Sequence, residues 1–183
     1  LLEKNFELGK KLMLTGGGRC NLTNSKPSIR AMLNQYKASG KFLFTAFSRF
    51  GAEETVKFFN ARGLATKEEN DGRIFPVVDS ALSVLDVLIE YMKKGGVKVQ
   101  TKAVVENILL GADKKISIYL QDKTKIIAKS CVVATGGTSY PKTGSTGDGL
   151  KWLQKIGHTI NNGSFALVPI ALKDGWVKKV SGI

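Results

Sequence analysis

The sequence predicts an α/β fold with a small antiparallel β-meander inserted into a crossover. Three observations carry this expectation. An apolar-periodic helix runs from Ser80 to a stop at Gly95-Gly96. A series of short strands separated by turn sequences follows it. The series ends in the all-apolar stretch Cys131-Val132-Val133-Ala134, which breaks into Gly136-Gly137. A strand covered on both faces reads this way, and a glycine turn after it is where open α/β sheets meet their ligands.

Taken in order, Leu1-Leu2-Glu3 reads as the tail of a buried strand ending in an acid. Leu12-Met13-Leu14 reads as a second short strand, stopping at Thr15-Gly16-Gly17-Gly18-Arg19-Cys20-Asn21. Over 52–62 the apolar positions Val56, Phe58 and Phe59 mark a helix, with Gly63 as its C-cap. Residues 64–66 read as a strand, and Asp71-Gly72 as a turn ahead of Ile74-Phe75-Pro76. Strands are then expected over 97–101, 103–110, 115–120 and 125–134, joined by hairpin turns at 111–114 and 121–123. Thr146-Gly147-Asp148-Gly149 opens a helix marked by Leu150, Trp152, Leu153 and Ile156 and closed by Gly157. Residues 165–172 look like a further strand. There is no internal repeat and no low-complexity segment. The chain begins inside a strand without Met, and 180–183 carry no stop signal, so both ends are expected to be internal to a longer protein.

No apolar run reaches the roughly 18 residues of a membrane span, and no signal peptide is present, so a cytoplasmic protein without a membrane partner is expected. Cys20 and Cys131 lie far apart, and His158 is the single histidine, which argues against a disulfide framework or a zinc site. The formal net charge of +13 raises a basic nucleic-acid-binding module as an alternative function. The lysines are scattered over expected hairpins and helix ends, however, with few aromatics among them. They read as a solvated surface, and no specific nucleic-acid partner is expected.

The glycines carry the functional argument. Two clusters follow expected strands and a third opens a helix whose N-terminal amides could face an anion. Glycine at such places admits positive φ and lets backbone amides approach a ligand directly. A single glycine pair is equally well a turn, but three clusters favour a bound cofactor. An acid at a strand end, here Glu3, is the residue type that accepts hydrogen bonds from a dinucleotide ribose. The GxGxxG turn expected before it is not in this sequence, and no GxxxxGK[ST] pattern points to nucleotide hydrolysis.

The stretches Leu2-Glu3-Lys4-Asn5, Leu8-Gly9-Lys10-Lys11 and Thr15-Gly16-Gly17-Gly18-Arg19-Cys20-Asn21-Leu22-Thr23-Asn24 resemble a family of bacterial FAD-dependent oxidoreductases, the YhiN-like or aminoacetone-oxidase family. Bile-acid-intermediate reductases of the same superfamily are similar. Ala134-Thr135-Gly136-Gly137-Thr138-Ser139-Tyr140-Pro141, Gly144-Ser145-Thr146-Gly147-Asp148-Gly149 and Leu167-Val168-Pro169 extend the resemblance over nearly the whole chain. It implies a partial Rossmann-like FAD-binding domain over 1–163, with the meander at about 97–130, and the start of a substrate domain over 164–183. It implies that Glu3 and Lys4 lie at the adenosine ribose, and Arg19, Cys20, Asn21 and Thr23 along the cofactor. Val105 would meet adenine through its backbone, and Ala134, Thr135, Gly136 and Gly137 would let the cofactor pass close by. The implied activity is hydride transfer between the flavin and a small organic substrate, the alternative being an inactive fragment of such a flavoprotein. No second nucleotide fingerprint is present, so NAD(P)H as reductant would bind transiently or elsewhere.

Among single residues, Cys20 beside Arg19 could be a redox thiol, but with no second cysteine near it a packing or cofactor-contact role is favoured. Cys131 reads as core, His158 as structural at the start of a strand, and Asp148 as a helix cap rather than a base. Tyr140 beside Pro141 reads either as a group facing the flavin or substrate, or as a loop anchor. No catalytic residue stands out.

Overall fold

The structure, a computed structural model, describes residues 1–25 and 28–161. The expectations for 164–183 therefore lie outside the described residues, as do the strand at 165–172 and the match at Leu167-Val168-Pro169.

The first half packs helices against a three-stranded antiparallel sheet of order β1-β3-β2, formed by β1 (Thr23–Asn24), β2 (Thr66–Glu69) and β3 (Arg73–Pro76). Asp71 and Gly72 both take positive φ, 64° and 76°, and so turn β2 back onto β3. The register runs from Thr66 opposite Pro76 to Glu69 opposite Arg73. Three helices lie between β1 and β2: α1 (Ile29–Gln35), α2 (Gly40–Arg49) and α3 (Ala52–Asn60). Ser28 Oγ accepts the Ala31 N–H at 3.1 Å and caps α1. Glu54 Oε2 accepts the Gly51 N–H at 2.9 Å at the start of α3, and this bond holds its carboxyl below the ordinary carboxylate range. The longest helix, α4 (Ala81–Lys94), starts after Ser80 and stops at Gly95-Gly96 as the sequence predicts. Cys20, Phe59, Leu64, Ala81 and Val84 form the core here, with Leu12, Met13, Leu22 and Phe58 packed against it.

The second half is the expected meander: β4 (Val105–Leu110), β5 (Ile116–Leu120) and β6 (Lys125–Ala128), antiparallel in the order β4-β5-β6. Lys114 and Lys123 take positive φ in its two turns. β4 carries a bulge: Val105 faces Leu120 and Asn107 faces Tyr119, so Glu106 is an extra residue. The helix α5 (Asp148–Lys155) covers this sheet through Trp152, and Ala103, Ile108, Ile118, Leu120 and Trp152 form a second core. Trp152 Nε1 donates to the bulge carbonyl of Glu106 at 3.2 Å.

Several expected strands are absent. Leu12-Met13-Leu14 is a turn of 3-10 helix, because Leu12 and Met13 bury their side chains on the first core without any strand beside them. The expected strand at 64–66 starts only at Thr66, since Leu64 is spent on the core. Residues 97–101 form a single parallel bridge, Leu2 to Gln100, carried by Gln100 N–H to Leu1 O and Glu3 N–H to Gln100 O, both at 2.9 Å. Leu1 is 55% exposed while Leu2 packs against the second core, so one side of this segment is covered. Cys131-Val132-Val133-Ala134 has no strand partner among the described residues. Cys131 and Val133 pack on the second core while Val132 is 90% exposed, so only one face is covered. His158 is exposed, and no strand begins at it among the described residues.

Candidate functional site

The amino-terminal segment and the third glycine cluster are tied together residue by residue. Lys4 Nζ donates to Thr146 Oγ1 at 2.6 Å and to Asp148 Oδ2 at 2.9 Å. Asn5 Nδ2 donates to Thr143 O at 3.1 Å and to Glu3 Oε1 at 2.8 Å, and Glu3 Oε1 also accepts the Asn5 N–H at 2.8 Å. The acid that follows the Leu2–Gln100 bridge is thus held in a fixed local turn. Lys11 Nζ donates to Ser139 O at 2.6 Å, which ties the 139–148 loop to the first half of the chain.

The loop itself is stiff. Thr143 donates from both N–H and Oγ1 to Tyr140 O, at 2.9 and 2.7 Å, and Thr143 and Ser145 are buried. Tyr140 takes a positive φ of 52° and is 74% exposed, so its ring does not anchor the loop by packing. Gly147 N–H donates to Gly137 O at 3.1 Å, laying 133–138 across the start of α5. This approach is close: a Cβ on Gly149 would sit 2.9 Å from Val133 Cγ1 and overlap Thr135 Oγ1. Ala134, Thr135, Gly136 and Gly137 are exposed, and a Cβ on Gly137 would meet nothing within 4 Å.

Asp148 is not the cap of α5. Gly147 holds that position, and the Asp148 carboxylate lies in the first turn. An anion at these amides would meet that carboxylate, so the helix start is already balanced by Asp148 and Lys4. Hydrogen bonds from Thr146 first and Lys4 second hold the Asp148 carboxyl below its ordinary range. A depressed folded value gives stability that is present above the unfolded value, about 3.9, and lost as pH falls through the folded one. The melting-temperature gap between the native protein and Asp148→Asn is therefore expected to close between about pH 5 and pH 2.

The structure places Arg19, Cys20, Asn21 and Thr23 in the first half and Val105 in the second. Cys20 is 6% exposed among Phe59, Leu64, Ala81 and Val84, where its thiol packs and does not face solvent. With its amide nitrogen turned toward them, Asn21 would donate to Ile74 O at 3.2 Å and Thr23 O at 2.9 Å, and Thr23 lies in β1 against β3. Arg19 reaches Glu69 and Asp79. Val105 is half-buried on the second core, opposite Leu120. Sequence reasoning missed Asn5, Lys11, Thr143 and Ser145; the roles of the first three come from contacts across more than a hundred residues, which no local pattern displays, and Ser145 is marked only by its burial. Two grooves, of about 420 and 450 Å³, lie at the meander and beside β1, and neither is lined by 134–137, because that strip is open surface. Among the described residues no helix is long and apolar enough to cross a membrane, and no group of three metal-ligating side chains gathers.

The relatives that match over most or all of this chain include the following three. It is 33% identical over its whole length to a 3-dehydro-bile acid delta(4,6)-reductase of Clostridium scindens, covering 43% of that protein. It is 29% identical over 94% of its length to a ribosomal RNA dihydrouridine synthase of Escherichia coli, covering 42% of it. It is 26% identical over its whole length to a protein of the same name from Haemophilus influenzae, covering 46% of it. The chain thus spans less than half the length of these relatives. Residues 1–168 match the HI0933-like protein Rossmann domain, and the chain belongs to that family.

Proposed function

We propose that this chain is the FAD-binding part of a flavoprotein oxidoreductase that reduces a carbon–carbon double bond conjugated to a ring carbonyl. The observation that carries the cofactor is the 134–137 strip, where a Cβ at Gly137 meets open space beside a tightly packed helix start. A large flat ligand needs such side-chain-free backbone. Glu3, fixed by Asn5 and adjoining Lys4, would accept hydrogen bonds from the ribose, and the backbone of Val105 would meet the adenine. The open backbone at Gly17 and Gly18 would lie along the remainder of the cofactor. FAD, when bound, supplies two-electron chemistry, and the protein supplies binding, orientation and electrostatics.

The substrate class rests on the relatives' names, one a delta(4,6)-reductase and two dihydrouridine synthases. In the proposed reaction the substrate gains a hydride at the carbon β to the carbonyl and a proton at the α carbon, with NAD(P)H as the transient electron source. A small organic molecule is the first reading. The net charge of +13, together with the two relatives named for ribosomal RNA, favours a second: a base within RNA.

The full-length protein is expected to show flavin absorbance between about 350 and 500 nm and to release FAD on denaturation. At FAD a hundredfold above Kd, linkage gives about 2.7 kcal/mol, read as a raised melting temperature. No released flavin and no thermal shift would sink the reading. Titration with labelled RNA at about 50 and 200 mM salt separates the substrates: sequence-selective binding that survives the higher salt supports the second reading.

A further inference from the structure

We infer that Arg19 is a positioning residue that clasps the 15–20 glycine loop to the sheet, and that it is not a ligand of a cofactor phosphate. The inference deepens the FAD reading and rests on it for its ligand. Arg19 Nε donates to Asp79 Oδ1 at 2.9 Å, and Nη2 lies 2.7 Å from the same oxygen and within hydrogen-bonding reach of Glu69 Oε1. Its Cζ stacks 4.1 Å from the centroid of the Phe75 ring, which is 3% exposed. Lys67 Nζ completes the cluster, 2.5 Å from Asp79 Oδ2 and 3.5 Å from Glu69 Oε1.

Two cations and two carboxylates therefore balance. A diphosphate approaching the guanidinium would meet Glu69 and Asp79 at the same distance and would have to displace them. Hydrogen bonding from Arg19 holds Glu69 below the ordinary carboxylate range, and Lys67 first, then Arg19, does the same for Asp79. Both acids thus stay ionised and keep hold of the arginine.

The loop needs such a hold. Gly16, Gly17, Gly18 and Cys20 take φ of 56°, 66°, 88° and 61° in close succession. For Cys20 that conformation is strained, and it persists only if the surroundings over-determine it. The buried Cys20 side chain fixes one side of the loop, and the Cys20 N–H bonds Thr15 O at 3.0 Å. Arg19 fixes the other side through β2, β3 and Asp79. Held this way, the loop leaves Gly17 with nothing within 4 Å of a notional Cβ, so its backbone and not the arginine is free to meet an anion.

The two roles predict opposite signs. If Arg19 were a phosphate ligand held back by its acids, Glu69→Gln and Asp79→Asn would release it and tighten FAD binding. If it is a clasp, both variants loosen the loop and weaken binding, as does Arg19→Lys, which loses the fork and the stacking. The test is titration of full-length apoprotein with FAD by flavin fluorescence, with hydrogen exchange over 15–20 followed in the same apoproteins. The expected result is a Kd raised roughly two- to thirty-fold, the range for residues that act on a site without touching its ligand, with faster exchange at Arg19 and Cys20. Asp79→Glu keeps the charge, and serves should Asp79→Asn fail to fold; its Kd is expected between those of the native protein and Arg19→Lys. Tighter or unchanged FAD binding in the acid variants overturns the clasp, and so does unchanged exchange. If the native protein takes up no FAD, the cofactor reading fails by itself and the exchange result alone decides on the clasp.

Discussion

Gly137→Val is expected to cut the FAD affinity of the full-length protein at least tenfold, about 1.4 kcal/mol, while the apoprotein melts within a few degrees of the native one. The reason is the contrast between neighbouring glycines. Gly136 has φ of +70°, and a Cβ there would press on the buried Ser145 Oγ at 3.1 Å. Valine at 136 therefore strains the chain as well as any ligand, so lost flavin in that variant has two explanations. Gly137 has no positive φ, and its Cβ would project into open space. Nothing in the described chain objects to valine there, so a loss of binding together with an unchanged melt reports the cofactor itself. Equilibrium dialysis of apoprotein against FAD, with a thermal melt of the same sample, measures both quantities. Unchanged affinity would show that the cofactor does not run along 134–137.

Trp152→Ala carries the largest expected effect on stability. The indole is 8% exposed at the centre of the second core, and its Nε1–H is bonded to Glu106 O. Removing it opens a large cavity beneath α5 and takes away the Nε1 hydrogen bond to Glu106 O. The expected cost is about 3–5 kcal/mol, out of a total that for most domains is about 5–15. At roughly 2–4 °C per kcal/mol for a chain of this size, the melting temperature falls by roughly 6–20 °C. Trp152→Phe keeps most of the packing and drops the hydrogen bond, and is expected to lose about 1 kcal/mol beyond its smaller volume. Calorimetry of both variants checks the ordering, and a loss under about 1 kcal/mol for alanine would show that α5 does not depend on this anchor.

The elements legible in the sequence were those with local stop signals. Ser80 and Gly95-Gly96 bracket α4, Gly63 follows α3, and the turns at 111–114 and 121–123 separate the meander strands. Each is decided within a few residues by φ preference and hydrophobic period. The strands that failed depend on partners distant in sequence. Leu12-Met13-Leu14 and Cys131-Val132-Val133-Ala134 are apolar runs too short to show a period, and what they become is set by what lies beside them: α4 in the first case, one face of the second core in the second. The helices α1 and α2 drew no expectation because their apolar residues are largely surface ones, with Phe42 86% and Phe44 56% exposed. In the candidate site, glycine and strand-end acid were visible as residue types. The ties from Lys4, Asn5 and Lys11 to the 139–148 loop were not, since they are set by three-dimensional closure alone.

Glu106 behaves like an edge dislocation in a crystal row. It is one extra unit inserted on one side of a lattice that stays in phase above and below it. Val105 opposite Leu120 and Ile108 opposite Ile118 remain on the same inner face, so the insertion leaves the packing of either half unshifted. The carbonyl of the inserted residue is the one Trp152 holds. Deleting Glu106 would restore a perfect ladder and keep every apolar pair, yet it would remove the acceptor that fastens α5 to the sheet. In this chain the lattice defect is the joint between the meander and α5, and a more regular strand would be a less connected one.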